Sequence, residues 1–304
     1  MGEFIKKGNS ELQNRNLFGR IKSIKEMSYE IIGKKNKMAN IWEPTNSIKN
    51  LPYLERVINS QIVEEKLKKI EYVFFHKNGN LEEEKSCDSE DNLNSRITYQ
   101  YDNAKNKIKE TSFDSTGKIW NQIIYQYDDN GNLLKEIDAI PNSPNSIIRD
   151  YSYKFDLNGN IMEKTFSINE GKIIVESYKY EENGNIFIES IIYNEDGEIE
   201  YSSTEIINKN GKFVKDSNDS TYEYDESGNI VKVSHFFNGE TEFSYCYVFD
   251  KIGNWVKRLE ERYHIDFDFY HNTRIYVRIG KVTLIKREIE YYDSDKKWWN
   301  IFSK

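Results

Sequence analysis

Histidine, cysteine and proline are all scarce in this chain of 304 residues, which contains four His, two Cys and four Pro. The two cysteines, Cys87 and Cys246, lie far apart, so we expect two free thiols, with a disulfide as the alternative. None of the Gly-x-Ser-x-Gly, Gly-x-x-x-x-Gly-Lys-Ser/Thr or His-Glu-x-x-His motifs occurs. The sequence therefore gives no sign of a familiar catalytic centre, and no cofactor is expected.

Long apolar runs are also missing. No stretch approaches the roughly 18 apolar residues of a membrane helix, and residues 1–9 do not have the apolar segment of a signal peptide. We therefore expect no membrane span and a cytoplasmic location for the chain as written. A cell-surface or secreted location is the alternative, if an export signal once preceded the present start.

Charge argues against one class of partner, and aromatic content indicates the type of secondary structure. The net charge is −8, and Lys and Arg interleave with Asp and Glu along the chain. Because nucleic-acid binding needs clustered basic residues, we expect no nucleic-acid partner. The 22 Tyr and 16 Phe favour β-sheet over helix.

One phrase recurs through most of the sequence. It reads Tyr-Gln-Tyr-Asp-Asp-Asn-Gly-Asn-Leu at 125–133. Its glycine returns at intervals of 25 to 28 residues, at Gly131, Gly159, Gly184 and Gly211. A repeat of this length with two turns in each unit is typical of an array in which neighbouring units pair. The clearest copies are at 125–133, 153–161, 178–186, 222–230 and 247–255.

Each copy has the pattern of a β-hairpin tip. Tyr125 and Tyr127 alternate with polar residues, as on a strand with one buried face, and Leu133 restarts that face after the turn. Asp128 and Gly131 occupy the positions expected for a type I turn followed by a left-handed bulge residue. We therefore interpret Asp128 and its equivalents as turn residues rather than metal ligands.

These patterns predict an all-β fold, a repeat-built antiparallel β-hairpin array with a coiling or strongly twisted sheet. One short helix is an option at 53–67, with a strand from Gln61 onward as the alternative. Residues 18–304 are expected to form one continuous structural unit. Its predicted parts are a loosely ordered N-terminus at 1–17, the first strand or strands plus an irregular insertion at 18–68, hairpin repeats at 69–292, and an aromatic cap at 293–304.

The phrase Tyr-x-Tyr-Asp-x-x-Gly-Asn, followed by an apolar residue, resembles the YD repeats of RHS-type bacterial proteins over roughly residues 69–292. In that family such units form a continuous coiling sheet, which in large members encloses a toxin. This chain differs by having Gly-Asn where the family often has Gly-Arg, and by lacking a toxin-like C-terminal domain. The resemblance therefore implies a short, divergent bacterial member without the shell function.

The best local cluster of possible metal ligands lies at 263–271. On a strand, His264, Asp266 and Asp268 would share one face, and three such side chains could hold a divalent cation. Strict alternation is equally the pattern of any half-exposed strand, with Phe267 facing the core and the charges facing water. Both interpretations stay open at this point.

The C-terminus concentrates aromatic side chains. Trp298, Trp299 and Phe302 lie close to the chain end, where they would cover the last strand of an array. The alternative is an aromatic binding patch for a sugar or a partner protein, to which Trp255 could also belong.

The leading functional hypothesis is a non-enzymatic binding scaffold that presents an extended Tyr-rich sheet surface to a protein or carbohydrate partner. One alternative is a carbohydrate-active or metal-dependent hydrolase with its site at residues 264–271. Another is a toxin-associated or immunity-type partner protein. A deep pocket with converging His and carboxylate groups would favour the enzyme.

Overall fold

A computed structural model describes residues 15, 17–33, 62–141, 146–169, 171–235, 241–268, 273–278 and 282–292. For residues 31–33, 62–65, 263–268, 273–278 and 282 it describes the backbone alone. All regular elements in these ranges are strands. In the same ranges no helix is long and apolar enough to cross a membrane.

Nineteen strands follow one another along the described chain. They are β1 (Ile21–Gly33), β2 (Ile62–Phe75), β3 (Leu81–Cys87), β4 (Leu93–Tyr101), β5 (Lys107–Asp114), β6 (Ile119–Tyr127), β7 (Leu133–Ala139), β8 (Ile147–Phe155), β9 (Ile161–Ile168), β10 (Lys172–Tyr180), β11 (Ile186–Tyr193), β12 (Ile199–Ile207), β13 (Phe213–Lys215), β14 (Thr221–Tyr224), β15 (Ile230–His235), β16 (Thr241–Phe249), β17 (Trp255–Asp268), β18 (Thr273–Arg278) and β19 (Val282–Tyr291).

The strand pairing closes on itself. Consecutive strands are hydrogen-bonded neighbours, and β1 pairs antiparallel with both β2 and β19. Strand β17 pairs first with β19, where Leu259 faces Leu284, and then with β18, where His264 faces Val277. Because β18 and β19 lie in series beside the same strand, they fill one position. The pairing order is therefore a closed, antiparallel ring of eighteen strand positions.

The all-β class agrees with the sequence, but the predicted open, coiling hairpin array is wrong, because β1 supplies both of its edges to partners. The optional helix at 53–67 is also wrong where the structure describes it. Residues from Ile62 onward belong to β2, and Leu67 lies opposite Tyr29 of β1. The hydrogen-bonding neighbour decides the conformation of this stretch, whose apolar spacing fitted a helix only roughly.

The described chain divides into two compact units. Among the described residues, unit one contains Asn80–Lys85 and Asn94–Thr221, and unit two contains those before Asn80, those at Ser86–Leu93 and those from Tyr222 onward. Domain boundaries predicted from the sequence stay predictions. In unit one the buried side chains are few, among them Leu81, Ile161, Ile174 and Ile186.

Unit two has the denser core. Leu259 and Leu284 lie opposite each other on β17 and β19, and Tyr29, Cys246 and Val248 pack against them. Further apolar side chains are fully buried along the closing strands. They include Ile21, Phe75 and Tyr291. Burial is therefore concentrated where the first and last strands meet.

The hairpin turns use a repeated hydrogen-bond set. Asp128 accepts bonds from the backbone N–H groups of Asn130 and Asn132 at 2.9 and 2.8 Å, and from the Asn132 side chain at 2.8 Å. The Gly131 N–H donates to the Asp128 carbonyl, and Gly131 has a φ of 84°. Bonds from the Asn132 side chain and backbone lower the pKa of Asp128. The turn-forming role inferred for Asp128 is confirmed.

Turns at the other edge of the sheet use the same device. Asp114 accepts from the backbone N–H groups of Thr116 and Lys118, and Asn194 accepts from those of Asp196 and Glu198.

Asn254 departs from this pattern and fastens the N-terminal segment to unit two. It is fully buried, and its side chain accepts from the Phe18 N–H at 2.7 Å and donates to the Phe18 carbonyl at 2.8 Å. It also donates to the Tyr291 hydroxyl, which in turn donates to Asp250. One turn residue thus links the start of the described chain, a hairpin tip and the last strand.

A second repeated contact joins successive hairpins. A tyrosine just before one tip donates its hydroxyl to the carbonyl of the residue that follows an earlier tip. In two copies the residue before the turn Asp is a phenylalanine, Phe155 or Phe249, which has no hydroxyl. There the tyrosine two positions earlier makes the bond instead. The bonds are Tyr127 to Lys107, Tyr153 to Leu133, Tyr180 to Ile161 and Tyr247 to Ile230.

We expect Gly159→Ala to destabilise the fold by about 1 kcal/mol, because an L side chain is strained at a positive φ. Gly159 has a φ of +81°, and an added Cβ would meet nothing within 4 Å, so strain is the whole effect. Urea unfolding measures the change, and Gly159→Asn, which tolerates this conformation, should lose less. Equal stability of the alanine variant and the wild type would contradict this account.

Replacing Tyr127 by Phe should cost about 1 kcal/mol of unfolding free energy, because the Lys107 carbonyl loses a partly buried donor. The control is Tyr201→Phe, since Tyr201 is 50% exposed. Chemical denaturation of both variants tests the contact. If Tyr127→Phe behaves like the control, the hairpin-to-hairpin bond contributes nothing.

Candidate functional site

Four tyrosines follow one another across unit one at a spacing of two strands. They stand on β4, β6, β8 and β10, and each is partly buried. We call this set the tyrosine ladder. It consists of Tyr99, Tyr125, Tyr151 and Tyr178.

The strand register places the tyrosine ladder on one face of the sheet. Tyr125 lies opposite Glu136, which lies opposite Arg149, and Tyr151 follows two residues later on the same side of β8. Directly paired residues share a face, as do residues two apart on a strand. Tyr125 and Tyr151 therefore lie on the same face of the sheet.

Each tyrosine hydroxyl of the ladder donates to a glutamate. In three cases the glutamate lies fifteen residues earlier, on the preceding strand. Tyr178 instead donates to Glu176 on its own strand, at 2.5 Å. The three matched pairs are Tyr99 with Glu84, Tyr125 with Glu110 at 2.7 Å, and Tyr151 with Glu136 at 3.5 Å.

Cationic side chains connect the rungs. The Lys107 ammonium lies 5.7 Å from the Tyr99 ring centre and 5.0 Å from that of Tyr125, and the Lys164 ammonium lies 5.6 Å from the Tyr151 ring. Such contacts combine cation–π attraction with charge pairing. Cations also pair with glutamates of the ladder. The ion pairs are Lys107–Glu110, Arg149–Glu136 and Lys164–Glu176.

Partial burial keeps these hydroxyls protonated. It raises the pKa of Tyr151 to about 12, with the Glu136 charge as the next cause. Burial likewise raises the pKa of Tyr127, beside the ladder, to about 12. For Tyr125, burial and the bond to Glu110 both raise the pKa. The hydroxyls of Tyr125 and Tyr151 therefore stay protonated, as neutral donors, across the physiological pH range.

A cavity of about 490 Å³ opens beside Tyr125 of the ladder, between two neighbouring hairpin tips. Both turn residues of the hairpin tips and tyrosines of the preceding strand line it. The lining includes Asp102, Ala104, Ile108, Tyr125, Tyr127 and Asp128.

Of the four aromatic residues proposed for binding, the structure describes only Trp255. Trp255 is 6% exposed and packs 5.9 Å from the Tyr247 ring. Trp298, Trp299 and Phe302 lie outside the described residues. A binding role for these four residues stays a prediction.

The proposed metal ligands share one side of β17 by alternation. His264, Asp266 and Asp268 lie opposite Val277, Ile275 and Thr273 of β18, but their side chains lie outside the described part. Their metal role stays a prediction. Among the side chains that are described, no group of three His, Cys, Asp or Glu is placed to hold a metal ion.

Both cysteines are free thiols. Cys87 is buried, and burial together with the Glu261 charge raises the pKa of Cys246 to about 11. A thiol held protonated in this way is a poor nucleophile. Neither cysteine therefore adds a reactive centre.

No protein-family model matches the chain, and no curated protein matches it. Among solved structures, it is similar to the crystal structure of a porin-like protein from Bacteroides uniformis ATCC 8492. Sequence identity is 10% and the TM-score is 0.42, over 90% of this chain and 98% of that chain. At this identity no residue of one protein is matched to a residue of the other.

The resemblance to YD-repeat, RHS-type proteins is wrong. The strand pairing closes on itself, unlike the coiling, solenoid-like sheet that the resemblance implied. Local turn chemistry produced the similar phrase. Asp128, Gly131 and Asn132 recur because they build the turn, and a turn does not determine how a sheet ends.

The expectations of no membrane span and of a cytoplasmic location are also wrong. The first rested on the search for apolar helices of about 18 residues, and the second also rested on the lack of a signal-peptide segment at residues 1–9. Closed antiparallel pairing lies outside what that search detects, because it satisfies the backbone groups between strands.

Sequence reasoning passed over the glutamates of the ladder because carboxylates are so numerous in this chain. The available signal was spacing. Glu84, Glu110 and Glu136 recur every 26 residues, in step with Tyr99 and Tyr125. A search for partners at a constant offset from the repeated tyrosine would have found them.

Stability should fall as the pH rises from about 10, the ordinary tyrosine pKa, to about 12. In that window the unfolded chain has released protons that folded Tyr127 and Tyr151 still hold, so ionisation favours unfolding. Urea unfolding at several pH values, with absorbance titration of tyrosinate, measures both effects. The Tyr127→Phe, Tyr151→Phe double variant should lose less stability over this window. An equal loss in the variant would contradict the assignment.

Proposed function

We propose that the protein is a non-enzymatic binding scaffold whose tyrosine ladder holds an extended ligand. The observation that supports this proposal is a repeated rung. Each rung consists of a tyrosine, a carboxylate and a nearby cation, and the rungs recur across four alternating strands. Aromatic rings offer contact area at low entropic cost, and a repeated face suits a ligand with its own repeat.

The chemistry of the rungs favours binding over catalysis. The glutamates accept tyrosine hydroxyls, and three of them also pair with cations, among them Glu110 with Lys107 and Glu136 with Arg149. A general acid or base needs a carboxyl group poised to exchange a proton with a substrate. These carboxylates are instead held as fixed acceptors.

The spacing of the ladder favours a ligand in the polyproline II conformation. Neighbouring strands are about 4.8 Å apart, so rungs two strands apart repeat at roughly 9.6 Å. A polyproline II helix repeats every three residues at about 3.1 Å each, which is roughly 9.3 Å. Such peptides dock on aromatic-lined grooves elsewhere. The row of carboxylates on the face suits a peptide that carries a basic residue.

The test is the affinity of the intact chain for a twelve-residue peptide with proline at every third position and one lysine, measured by titration calorimetry. Tyr125→Ala should weaken binding roughly tenfold or more, the loss typical of an aromatic anchor. Ile124→Ala is the matched control, because Ile124 is the neighbouring residue on the opposite face of β6 and is 37% exposed.

Circular dichroism should show that both variants remain folded. Equal affinity of Tyr125→Ala and Ile124→Ala would contradict a binding role for the ladder. Binding of a linear oligosaccharide such as cellohexaose, with no binding of the peptide, would contradict the peptide ligand.

A further inference from the structure

We propose that Arg258 and Arg287 of unit two form a binding site for a small oxyanion, above the ring of Trp255. The site is independent of the tyrosine ladder and uses other strands. Its residues come from β17 and β19, with one acidic neighbour on β1.

Geometry brings the two guanidinium groups to the same ring. The Arg287 guanidinium carbon lies 3.2 Å from the Trp255 ring centre and that of Arg258 lies 5.1 Å from it. Arg258 faces Ile285 across the β17–β19 pair, and Arg287 is two residues further on the same side of β19. Two positive charges therefore meet on one face of the sheet.

Hydrogen-bond donors at this site outnumber the acceptors. Arg287 donates through Nε to Glu26 at 2.9 Å, while the Nη2 of Arg258 is 4.0 Å from Glu260. The Nε of Arg258 and the Nη1 of Arg287 are both buried and have no hydrogen-bond partner in the described part of the chain. A buried, unsatisfied donor costs about 1–3 kcal/mol, and more on a charged group. An acceptor that reaches both donors would remove that cost.

Charge points to an anion as that acceptor. Burial lowers the pKa of Arg287 to about 10; Glu26 opposes this shift, while the charges of Arg258 and Arg15 add to it. Three arginine charges, those of Arg258, Arg287 and Arg15, thus act at the site against the carboxylates of Glu26 and Glu260. Arginine forks match the oxygen geometry of phosphate, sulfate and carboxylate groups.

Access to the site is from the Arg258 side. The Arg287 side chain is 14% exposed and that of Arg258 is 27% exposed. A small rotation of the more exposed arginine would admit one oxyanion between the two guanidinium groups. The flat Trp255 ring beneath them limits the ligand to a single charged group or the end of a longer molecule.

The test is the thermal stability of the intact chain during titration with sodium phosphate, sodium sulfate or sodium acetate at constant ionic strength. We expect saturable stabilisation, since a ligand that binds only the folded state raises its stability. Arg258→Gln should weaken the apparent affinity about tenfold or more, the loss expected for one charge-assisted bond. Arg262→Gln on the same strand should leave it unchanged. The Arg262 guanidinium lies over the Phe243 ring instead.

Comparison of the three salts identifies the source of the oxyanion. Stabilisation by phosphate and sulfate alone indicates a tetrahedral anion, whereas stabilisation by acetate as well indicates a carboxylate group. Absence of saturation in the wild type, or equal stabilisation of Arg258→Gln, would overturn the proposal. Arg287→Gln is avoided as the primary variant, because it would also leave Glu26 without its partner.

Discussion

The backbone pairing of β1 with both β2 and β19 is the interaction on which the rest of the structure depends. A strand at the edge of a sheet exposes a row of unpaired N–H and C=O groups, which invites pairing with other chains. Here the first and last strands satisfy each other over ten residue pairs, and the buried side chains Leu284 and Ile24 lie along the same strands. Asn254 adds a side-chain lock next to this junction. The closing strands are thus the best-buried part of unit two.

Tyrosine has two separate roles in unit one. Tyr127 and its equivalents donate to backbone carbonyls and tie one hairpin to an earlier one. Tyr125 and the rest of the ladder donate to glutamates and carry cations over their rings. In the phrase at 125–133, Tyr127 therefore stabilises the fold, whereas Tyr125 belongs to the ladder face. Mutations at the two positions should separate stability from binding.

Local chemistry made part of this structure readable from the sequence. Asp128 and Gly131 predict their turn because all of its hydrogen bonds lie within five residues. Ring closure was not readable, since Ile24 and its partner Ile289 are separated by most of the chain and carry no distinguishing signal. The site that pairs Arg258 with Arg287 was missed for the same reason. The ladder lies between these cases, because the fifteen-residue offset shared by three of its four rungs is visible but faint among many carboxylates.

The separation of β1 and β19 along the sequence has a consequence for biosynthesis. Strand β1 leaves the ribosome well before its partner β19, because the other described strands lie between them. Hairpins such as β6–β7 can form as soon as they emerge, whereas the β1–β19 pairing must wait until β19 has been made. Contacts of such long separation form slowly, and the edge of β1 is open to wrong partners meanwhile. The pairing of β1 with β19 is therefore a late step in folding.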